Sequence, residues 1–366
     1  MQIQSGRVLI YHLYDMADAV NLERLRKQWV GQADSIHLIS RRASPTYLQF
    51  DRAPVLLPLG RRSLEVNGTL FEAELSAKVF AFGVVSVCWQ LELAAWESVE
   101  HAEHYVNNSL LATQSQQVIE DLMPALRPVL EEPYEHMLTE DYTVFYVKNT
   151  HPVLTAEELL LAQGETLARL VRGESKTLSP QARDNALKQS VSYFEDDLVV
   201  MSWNAAFIYD PEGSQEHVDM IEFANAKLLE LRSYDQLLAA QLADIYAELE
   251  MIHKKRWRRL FRNPFQSTLQ KSLGLLIEVS ELNDRMENSL KIVGDLYCAR
   301  IYRVMSEVLH IPDWQHRVDR KLHHVQQVYE TLSAEVQEHR STLLEIIIVL
   351  LILVEVVLYF FPNGGH

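Results

Sequence analysis

The sequence predicts an α+β fold: a mixed α/β body in residues 1–212, long antiparallel helices in residues 213–342, and a transmembrane anchor in residues 343–361. Three observations predict it. Short β-branched apolar runs alternate with helical patterns up to about residue 210. Beyond that point, apolar residues recur at the spacings of three and four that are typical of helices. The last apolar run is 19 residues long and contains only two charged residues.

Composition indicates a folded chain with a large core. Of the 366 residues, 48% are hydrophobic. The net charge is −16, from 50 acidic and 34 basic residues, which disfavours general binding to a nucleic-acid backbone. The two cysteines, Cys88 and Cys298, belong to no CxxC or Cys/His cluster. We therefore expect them to be buried apolar side chains in a reducing compartment.

The α/β body is predicted from short strand and helix signals. Thr155 and Glu158 match a capping box at the start of a helix. Asn67-Gly68 is a hairpin signal between two apolar runs. Strands are predicted over residues 7–15, 79–89 and 142–150 and around 198–203, and helices over residues 18–30 and 93–132.

The second region contains three helical patterns, over residues 216–260, over 266–309, and from 314 into the last apolar run. The apolar spacing is typical of helices that pack along a coiled-coil-like seam. We therefore expect a long helical hairpin array that supports a homo-oligomer. The seam positions are Phe223, Leu228, Leu231, Leu238, Leu242, Ile245, Leu249 and Ile252, and then Trp314, Val318, Leu322, Val325, Tyr329, Leu332 and Val336.

The last apolar run extends from Leu343 to Phe361 and would span about 28 Å as a helix, close to the bilayer core of roughly 30 Å. Glu345 would reach water and Tyr359 would suit the interface. Glu355 would bond to a partner helix, either in self-association or in docking on another membrane protein. Lys321, His339 and Arg340 precede the run, and no lysine or arginine follows it. This pattern, with no signal or transit peptide, predicts a single-pass protein of the cytoplasmic membrane, in contact with lipid and with its bulk in the cytoplasm. The alternative is a buried core helix or an oligomerisation helix.

A basic segment interrupts the acidic chain at residues 253–262, where six cations are interleaved with aromatic residues. Three interpretations remain open: contact with anionic lipid, contact with RNA, or a solvated helix end. The candidate contact residues are Lys254, Lys255, Arg256, Trp257, Arg258, Arg259 and Arg262.

Catalytic and metal-binding motifs are sparse. The sequence has no GxxxxGK[ST] or GxGxxG phosphate loop and no GxSxG nucleophile motif. His101 and His104 lack the further ligands that a zinc site needs. The consecutive acids Glu195, Asp196 and Asp197 precede an apolar strand and are the one candidate for an acidic site, although acids at a strand entrance are usually solvated. No catalytic residue, metal or cofactor is predicted.

The C-terminal third resembles the family named for a requirement in meiotic nuclear division. The resemblance rests on Arg340, Leu344-Glu345, the aliphatic run and Val354-Glu355-Val356, and upstream on Phe82-Gly83 and residues 278–297. Departures at Leu343, Ile346 and residues 295–298 point to a distant or bacterial branch. The resemblance implies a membrane-anchored, oligomeric protein without established catalytic residues, whose organellar relatives support translation of membrane proteins.

From these patterns we predict a membrane-anchored, self-associating scaffold or tether that presents the α/β body to an unknown protein partner. Support of translation or membrane-protein biogenesis, with contact to RNA or the ribosome, follows from the resemblance alone. The alternative is a hydrolase or nuclease with an acidic site in the N-terminal body. That alternative requires Glu195, Asp196 or Asp197 to line a deep polar pocket.

Overall fold

The computed structural model divides the chain into two units. It describes residues 2–30, 48–50, 52–93, 104–106, 108–254, 265–288, 290–292 and 296–360. The first of these two units, here called the sheet unit, comprises Met1–Ser233 and Asp284–Gln315. The second, the helical unit, comprises Tyr234–Asn283 and His316–His366. The predicted mixed α/β body followed by helices is confirmed.

Strands of the described residues form one large and two small sheets. The strands are β1 (Gln2–Asp15), β2 (Ala17–Val20), β3 (Leu48–Phe50), β4 (Val55–Val66), β5 (Thr69–Val79), β6 (Val84–Glu92), β7 (Leu130–Pro133), β8 (Thr139–His151), β9 (Ser190–Val191), β10 (Leu198–Met201), β11 (Ala205–Tyr209) and β12 (Leu290–Ile292). The large sheet has the order β4-β5-β6-β1-β8-β11-β10-β9, and the small sheets pair β2 with β7 and β3 with β12. Strands β8 and β11 run parallel, whereas the other pairs are antiparallel.

The helices of the described residues are α1 (Leu22–Val30), α2 (Ser109–Leu126), α3 (Ala156–Arg172), α4 (Pro180–Leu187), α5 (Gln215–Lys254), α6 (Gln266–Asn288), α7 (Leu296–Val308) and α8 (Ile311–Phe360). Helices α5, α6 and α8 each contribute residues to both units.

Local signals determine several elements as predicted. Asn67 and Gly68 both have positive φ angles, of 48° and 75°, in the two-residue turn between β4 and β5. Thr155 accepts a hydrogen bond from the backbone N–H of Glu158, whose carboxylate accepts one from the backbone N–H of Thr155, so the predicted capping box at α3 is confirmed.

Other elements differ because distant contacts override the local pattern. The predicted strand over residues 79–89 is interrupted between β5 and β6, where Gly83 has a φ angle of 96°. A Cβ at Gly83 would lie 1.7 Å from the carbonyl oxygen of Ala17, so only glycine allows this close approach. The helix predicted from residue 18 begins at Leu22, and Asn21 caps it by accepting from the N–H of Arg24.

Buried apolar side chains of the strands and helices α2 and α3 form the main core of the sheet unit. The first part of α5 also contains buried polar residues. Lys78 of β5 donates to Asp219 over 2.9 Å and also to Glu222, so the buried cation is neutralised by two carboxylates of α5.

The helical unit has a small core of its own. Phe265, Leu332 and Val336 form a buried cluster against Leu249, Leu269 and Val328. Most of the predicted seam positions that the structure describes are buried, among them Leu238, Leu242, Ile245, Val318, Val325 and Leu332. Ion pairs join Lys321 to Asp235 over 2.7 Å and Lys271 to Glu248.

The transmembrane prediction requires correction. Among the described residues, no helix has an apolar stretch long enough to cross a bilayer. Glu345 and Glu355 of α8 leave only the nine residues 346–354 uninterrupted, about 14 Å of helix. The predicted anchor from Leu343 to Phe361 and the single-pass localisation in the cytoplasmic membrane are therefore wrong.

Candidate functional site

A cavity of about 510 Å³ lies in the sheet unit, where three segments converge. The segments are the loop before β10, the turn that follows β11 together with the start of α5, and the first residues of α7. The lining residues are Tyr193, Phe194, Asp196, Asp197, Asp210, Pro211, Glu212, Ser214, His217, Leu296 and Tyr297. Its volume is in the range of small-molecule sites.

Asp197 organises the loop before β10. Its carboxylate accepts hydrogen bonds from the backbone N–H groups of Tyr193, over 2.7 Å, and Phe194, over 3.0 Å. It also accepts from the hydroxyl of Tyr297 over 3.0 Å, which ties the loop to α7. Burial and the charge of Asp197 raise the pKa of the Tyr297 hydroxyl, so this hydroxyl remains a donor. Asp197 therefore fixes the shape of one wall.

Asp210 organises the opposite wall. Its carboxylate accepts from the backbone N–H groups of Glu212, over 2.9 Å, and Ser214, over 2.8 Å, and from the hydroxyl of Tyr146 over 2.8 Å. Burial by itself would raise the pKa of Asp210, but the contact with His217 and these hydrogen bonds outweigh it and hold the pKa well below its ordinary value. Asp210 is therefore a permanent buried anion at neutral pH.

His217 lies in the first turn of α5 and is only 8% exposed. Its Nδ1 lies 3.3 Å from Oδ2 of Asp210, an ion-pair distance, but makes no aligned hydrogen bond with a described residue. The ring contacts Tyr297 edge to face, with ring centroids 5.0 Å apart. Packing against Tyr297 and the charge of Asp210 therefore hold the imidazole in place, while its Nδ1 remains able to form a further hydrogen bond.

The rim of the cavity combines exposed aromatic rings with free carboxylates. Tyr193 and Phe194 contact each other edge to face, and Tyr193 also contacts Tyr297 at a centroid distance of 5.6 Å. Asp196 and Glu212 are exposed and form no ion pair within the described part of the chain. The rim therefore offers flat apolar surface and negative charge side by side.

Comparison with known proteins identifies a family. The family defined by the N-terminal domain of uncharacterized protein MJ0711 matches residues 5–216 of this chain. The chain belongs to this family. The matched segment includes the loop before β10 and the turn that contains Asp210, and it ends one residue before His217.

One relative in this family is the uncharacterized protein MJ0711 of Methanocaldococcus jannaschii, which is 28% identical over 194 residues. The aligned part covers 52% of this chain and 58% of the relative, so the chain spans somewhat more than half of that protein. No solved structure matches the chain.

The family match corrects the predicted resemblance to the meiotic nuclear division family. That resemblance rested mainly on the terminal aliphatic run, and many unrelated helices share such a composition. The MJ0711 match instead covers the α/β body, in which strand order and turns constrain the sequence. The implied role in translation has no remaining support, because it came from the resemblance alone.

The cavity contains part of the predicted acidic site. Asp196 and Asp197 line it, whereas Glu195 lines an adjoining cavity together with Arg300. Among the described residues no group of three His, Cys, Asp or Glu side chains is arranged to hold a metal ion. Sequence reasoning missed Asp210, His217 and Tyr297, although the turn-forming residues 210–213 directly after an apolar run were a usable signal for Asp210.

The predicted lipid or RNA contact patch lies outside the described residues at Lys255, Arg256, Trp257, Arg258, Arg259 and Arg262. Lys254 is the last residue of α5. Of the residues assigned to the anchor, Leu343, Glu345 and Glu355 lie on α8, as does the backbone of Tyr359.

A buried serine–histidine pair elsewhere in the sheet unit has no access to substrate. Ser115 accepts from Nε1 of Trp89 over 2.8 Å and lies 2.9 Å from Nδ1 of His12. Ser115 is fully buried and His12 is nearly so. We interpret this network as a stabilising feature of the core.

Proposed function

We propose that this protein is a self-associating scaffold whose copies join through the C-terminal part of α8 and present their sheet units to partner molecules. The observation that supports this proposal is an unpartnered apolar run on α8. Its large apolar side chains are between 38% and 63% exposed: Leu344, Ile346, Ile347, Ile348, Val349, Leu350, Leu351, Ile352, Leu353, Val354, Val356 and Val357.

The run is apolar on every side of the helix. Successive residues of an α-helix point about 100° apart, so the consecutive apolar residues 346–354 face all directions. A single partner helix covers one stripe of such a surface. Full coverage requires several helices around each other, and equivalent helices from other copies have the required length and composition. We therefore infer a bundle of three or more chains.

The energetics favour such a bundle. Full burial of one large aliphatic side chain stabilises by about 1.5–3 kcal/mol. Partial burial of the twelve exposed side chains is therefore worth on the order of 10 kcal/mol per chain. Association costs about 4–15 kcal/mol in lost translational and rotational freedom. Burial of the apolar run therefore provides enough free energy to offset most or all of that cost.

Sedimentation equilibrium of the full chain tests the proposal. The wild type is expected to form a defined oligomer, and Leu350→Gln combined with Leu353→Gln is expected to weaken association more than tenfold. Both positions are exposed, so the fold of each chain should remain intact. Leu161→Gln, at an exposed apolar position of α3, is the matched control and should leave the oligomer unchanged.

Two outcomes would contradict self-association. One is a wild type that stays monomeric at the highest soluble concentration. The other is an oligomer that the double variant and the control affect equally, which would move the interface away from α8.

A hydrolase remains a second candidate because Asp210 lies beside His217 at the cavity. An aspartate that orients a histidine is a common arrangement for a general base. The four carboxylates of the lining disfavour a phosphodiester, so an uncharged or cationic ester or amide is the better substrate class. Turnover of such a substrate by the wild type and its loss in His217→Gln would support this candidate, and a wild type without turnover would remove it.

A further inference from the structure

We propose that the cavity of the sheet unit binds an organic cation of the guanidinium class, held by the carboxylates of Asp196 and Glu212 and by the exposed ring of Tyr193. Every residue that forms the proposed site lies in the sheet unit, so binding of a free guanidinium ligand does not depend on self-association through α8.

The charge of the lining selects the class of ligand. Among the lining residues that the structure describes, Asp196, Asp197, Asp210 and Glu212 are acidic, and none is a lysine or arginine. Asp197 is bonded by backbone N–H groups and a tyrosine hydroxyl, which are neutral donors. Such hydrogen bonds stabilise the carboxylate but do not cancel its charge. Two cations lie close by: Arg300 lines the adjoining cavity, and a Cβ at Gly213, in the turn next to Glu212, would lie 3.1 Å from Nζ of Lys148. The lining itself still carries four acidic side chains.

The roles of the four carboxylates differ. Those of Asp197 and Asp210 are occupied by groups of the protein, so they contribute charge rather than direct contacts. Asp196 and Glu212 are exposed and free to meet a ligand. A guanidinium group presents paired N–H donors that match a carboxylate in a two-point contact. The free carboxylates are therefore the expected direct ligands.

The aromatic residues fit the same chemistry. The ring of Tyr193 is 61% exposed and lies next to the ring of Tyr297. A planar guanidinium stacks on aromatic faces and is weakly hydrated, so it loses less than an ammonium group on entering such a site. An exposed aromatic ring beside carboxylates favours a guanidinium over an inorganic cation.

His217 provides a second, independent indication of a ligand. Nδ1 of this nine-tenths buried imidazole lies 3.3 Å from Oδ2 of Asp210 without an aligned hydrogen bond, so its hydrogen-bonding capacity is not filled by the described residues. In its neutral form, one ring nitrogen accepts a hydrogen bond from a donor such as a guanidinium N–H. A bound cation or a water molecule beside it would satisfy that capacity.

The guanidinium has two possible sources. One is a free small molecule, for which the cavity volume of about 510 Å³ is adequate. The other is an arginine side chain of a polypeptide, and this chain itself carries four arginines within residues 253–262. A second copy of the chain would supply such a segment.

Isothermal titration calorimetry of the full chain distinguishes these sources. Agmatine is the free probe, and a synthetic peptide of residues 252–263 is the polypeptide probe. Asp196→Asn and Glu212→Gln should each weaken binding roughly tenfold, because each removes one charged hydrogen-bonding partner. Tyr193→Leu should weaken it about threefold through loss of the aromatic face. Glu131→Gln, at an exposed acid of β7 outside the lining, is the matched control and should bind as the wild type does.

Every outcome of the titrations either supports or overturns guanidinium binding at the cavity. Agmatine binding that the cavity variants weaken supports the proposal with a free ligand, and peptide binding with the same dependence but no agmatine binding supports it with a polypeptide. Binding of neither probe, or binding that Asp196→Asn and Glu131→Gln reduce equally, overturns it.

Discussion

Two buried aspartates near opposite ends of the central sheet differ in how the protein treats their charge. Asp15 ends β1 and is fully buried, yet neither of its carboxylate oxygens makes an aligned hydrogen bond with a described residue. Burial raises its pKa to about 7, the charge of Asp18 adds to this, and the nearby Ser233 opposes it only in part. Asp210 is 4% exposed but accepts hydrogen bonds from Glu212, Ser214 and Tyr146, and its pKa is lowered.

The comparison shows that burial alone does not decide the charge of a carboxylate. Donors arranged around Asp210 replace the water that it loses, whereas among the described residues Asp15 has only the partial help of Ser233. Of these two aspartates, only the one at the Asp210 end of the sheet therefore holds a stable negative charge at neutral pH. That end also contains the cavity, which is why we expect a cationic ligand there.

The largest expected effect concerns Asp15. In the folded chain Asp15 keeps its proton up to about pH 7, whereas in the unfolded chain it loses the proton near its ordinary value of 3.8. Stability should therefore fall as the pH rises from about 4 to 7, by about 4 kcal/mol if the full pKa difference applies. Asp15→Asn should remove this loss and be the more stable protein at pH 8. Urea unfolding of both proteins at several pH values measures the difference.

This prediction is tested on the difference in the free energy of unfolding between the wild type and Asp15→Asn at each pH, because the wild-type profile alone also contains contributions from other groups. His12 is buried, and burial lowers its pKa from 6.5 to about 4, so it decreases stability as the pH falls through that range. Subtracting the two profiles removes this contribution. A difference that does not change with pH would show that Asp15 is ionised in the folded protein.

Asp210→Asn should give the next largest effect. The amide lacks the charge that strengthens the hydrogen bonds from Glu212, Ser214 and Tyr146. Because both carboxylate oxygens accept hydrogen bonds, the NH₂ group of an asparagine faces a donor in either orientation. We expect a loss of roughly 3 kcal/mol in the free energy of unfolding, measured in urea at pH 7. Glu212→Gln, at the exposed neighbour, should change stability by less than about 0.5 kcal/mol. Equal effects of the two variants would argue against a structural role for Asp210.

Tyr146→Phe should give the smallest effect and sharpen the comparison most. It removes one neutral donor from Asp210 and leaves the other hydrogen bonds in place. The free energy of unfolding should fall by about 1 kcal/mol. The pKa of Asp210 should rise while its carboxylate remains ionised at pH 7. An unchanged pKa would mean that the backbone N–H groups and His217 alone hold the charge.

Local sequence signals predicted those parts of the fold that depend on neighbouring residues. The Asn67-Gly68 turn and the Thr155 capping box each require only a few consecutive side chains. The break at Gly83 was not predictable in this way, because its cause is the carbonyl of Ala17, 66 positions earlier in the chain.

The candidate site was only partly predictable for the same reason. The sequence indicated Asp196 and Asp197 as part of a candidate acidic site because they are consecutive acids. The structural role of Asp197, however, depends on Tyr297, 100 positions later in the chain. Asp210 and His217 are seven positions apart, and no short motif indicates that the helix start would bring them together. The apolar run at the C-terminus was recognised, but an apolar run alone does not say whether lipid, the chain's own core or another copy covers it.

Measurement of individual pKa values tests the central claim, that hydrogen-bond donors fix a negative charge at the cavity, most directly. The carboxyl carbons of aspartate are labelled with ¹³C, and their chemical shifts are followed through a pH titration, with Asp15→Asn and Asp210→Asn used for assignment. We predict that Asp15 titrates near pH 7 and that Asp210 stays ionised throughout the range in which the protein remains folded. Titration of Asp210 at or above the ordinary value of an aspartate would contradict it.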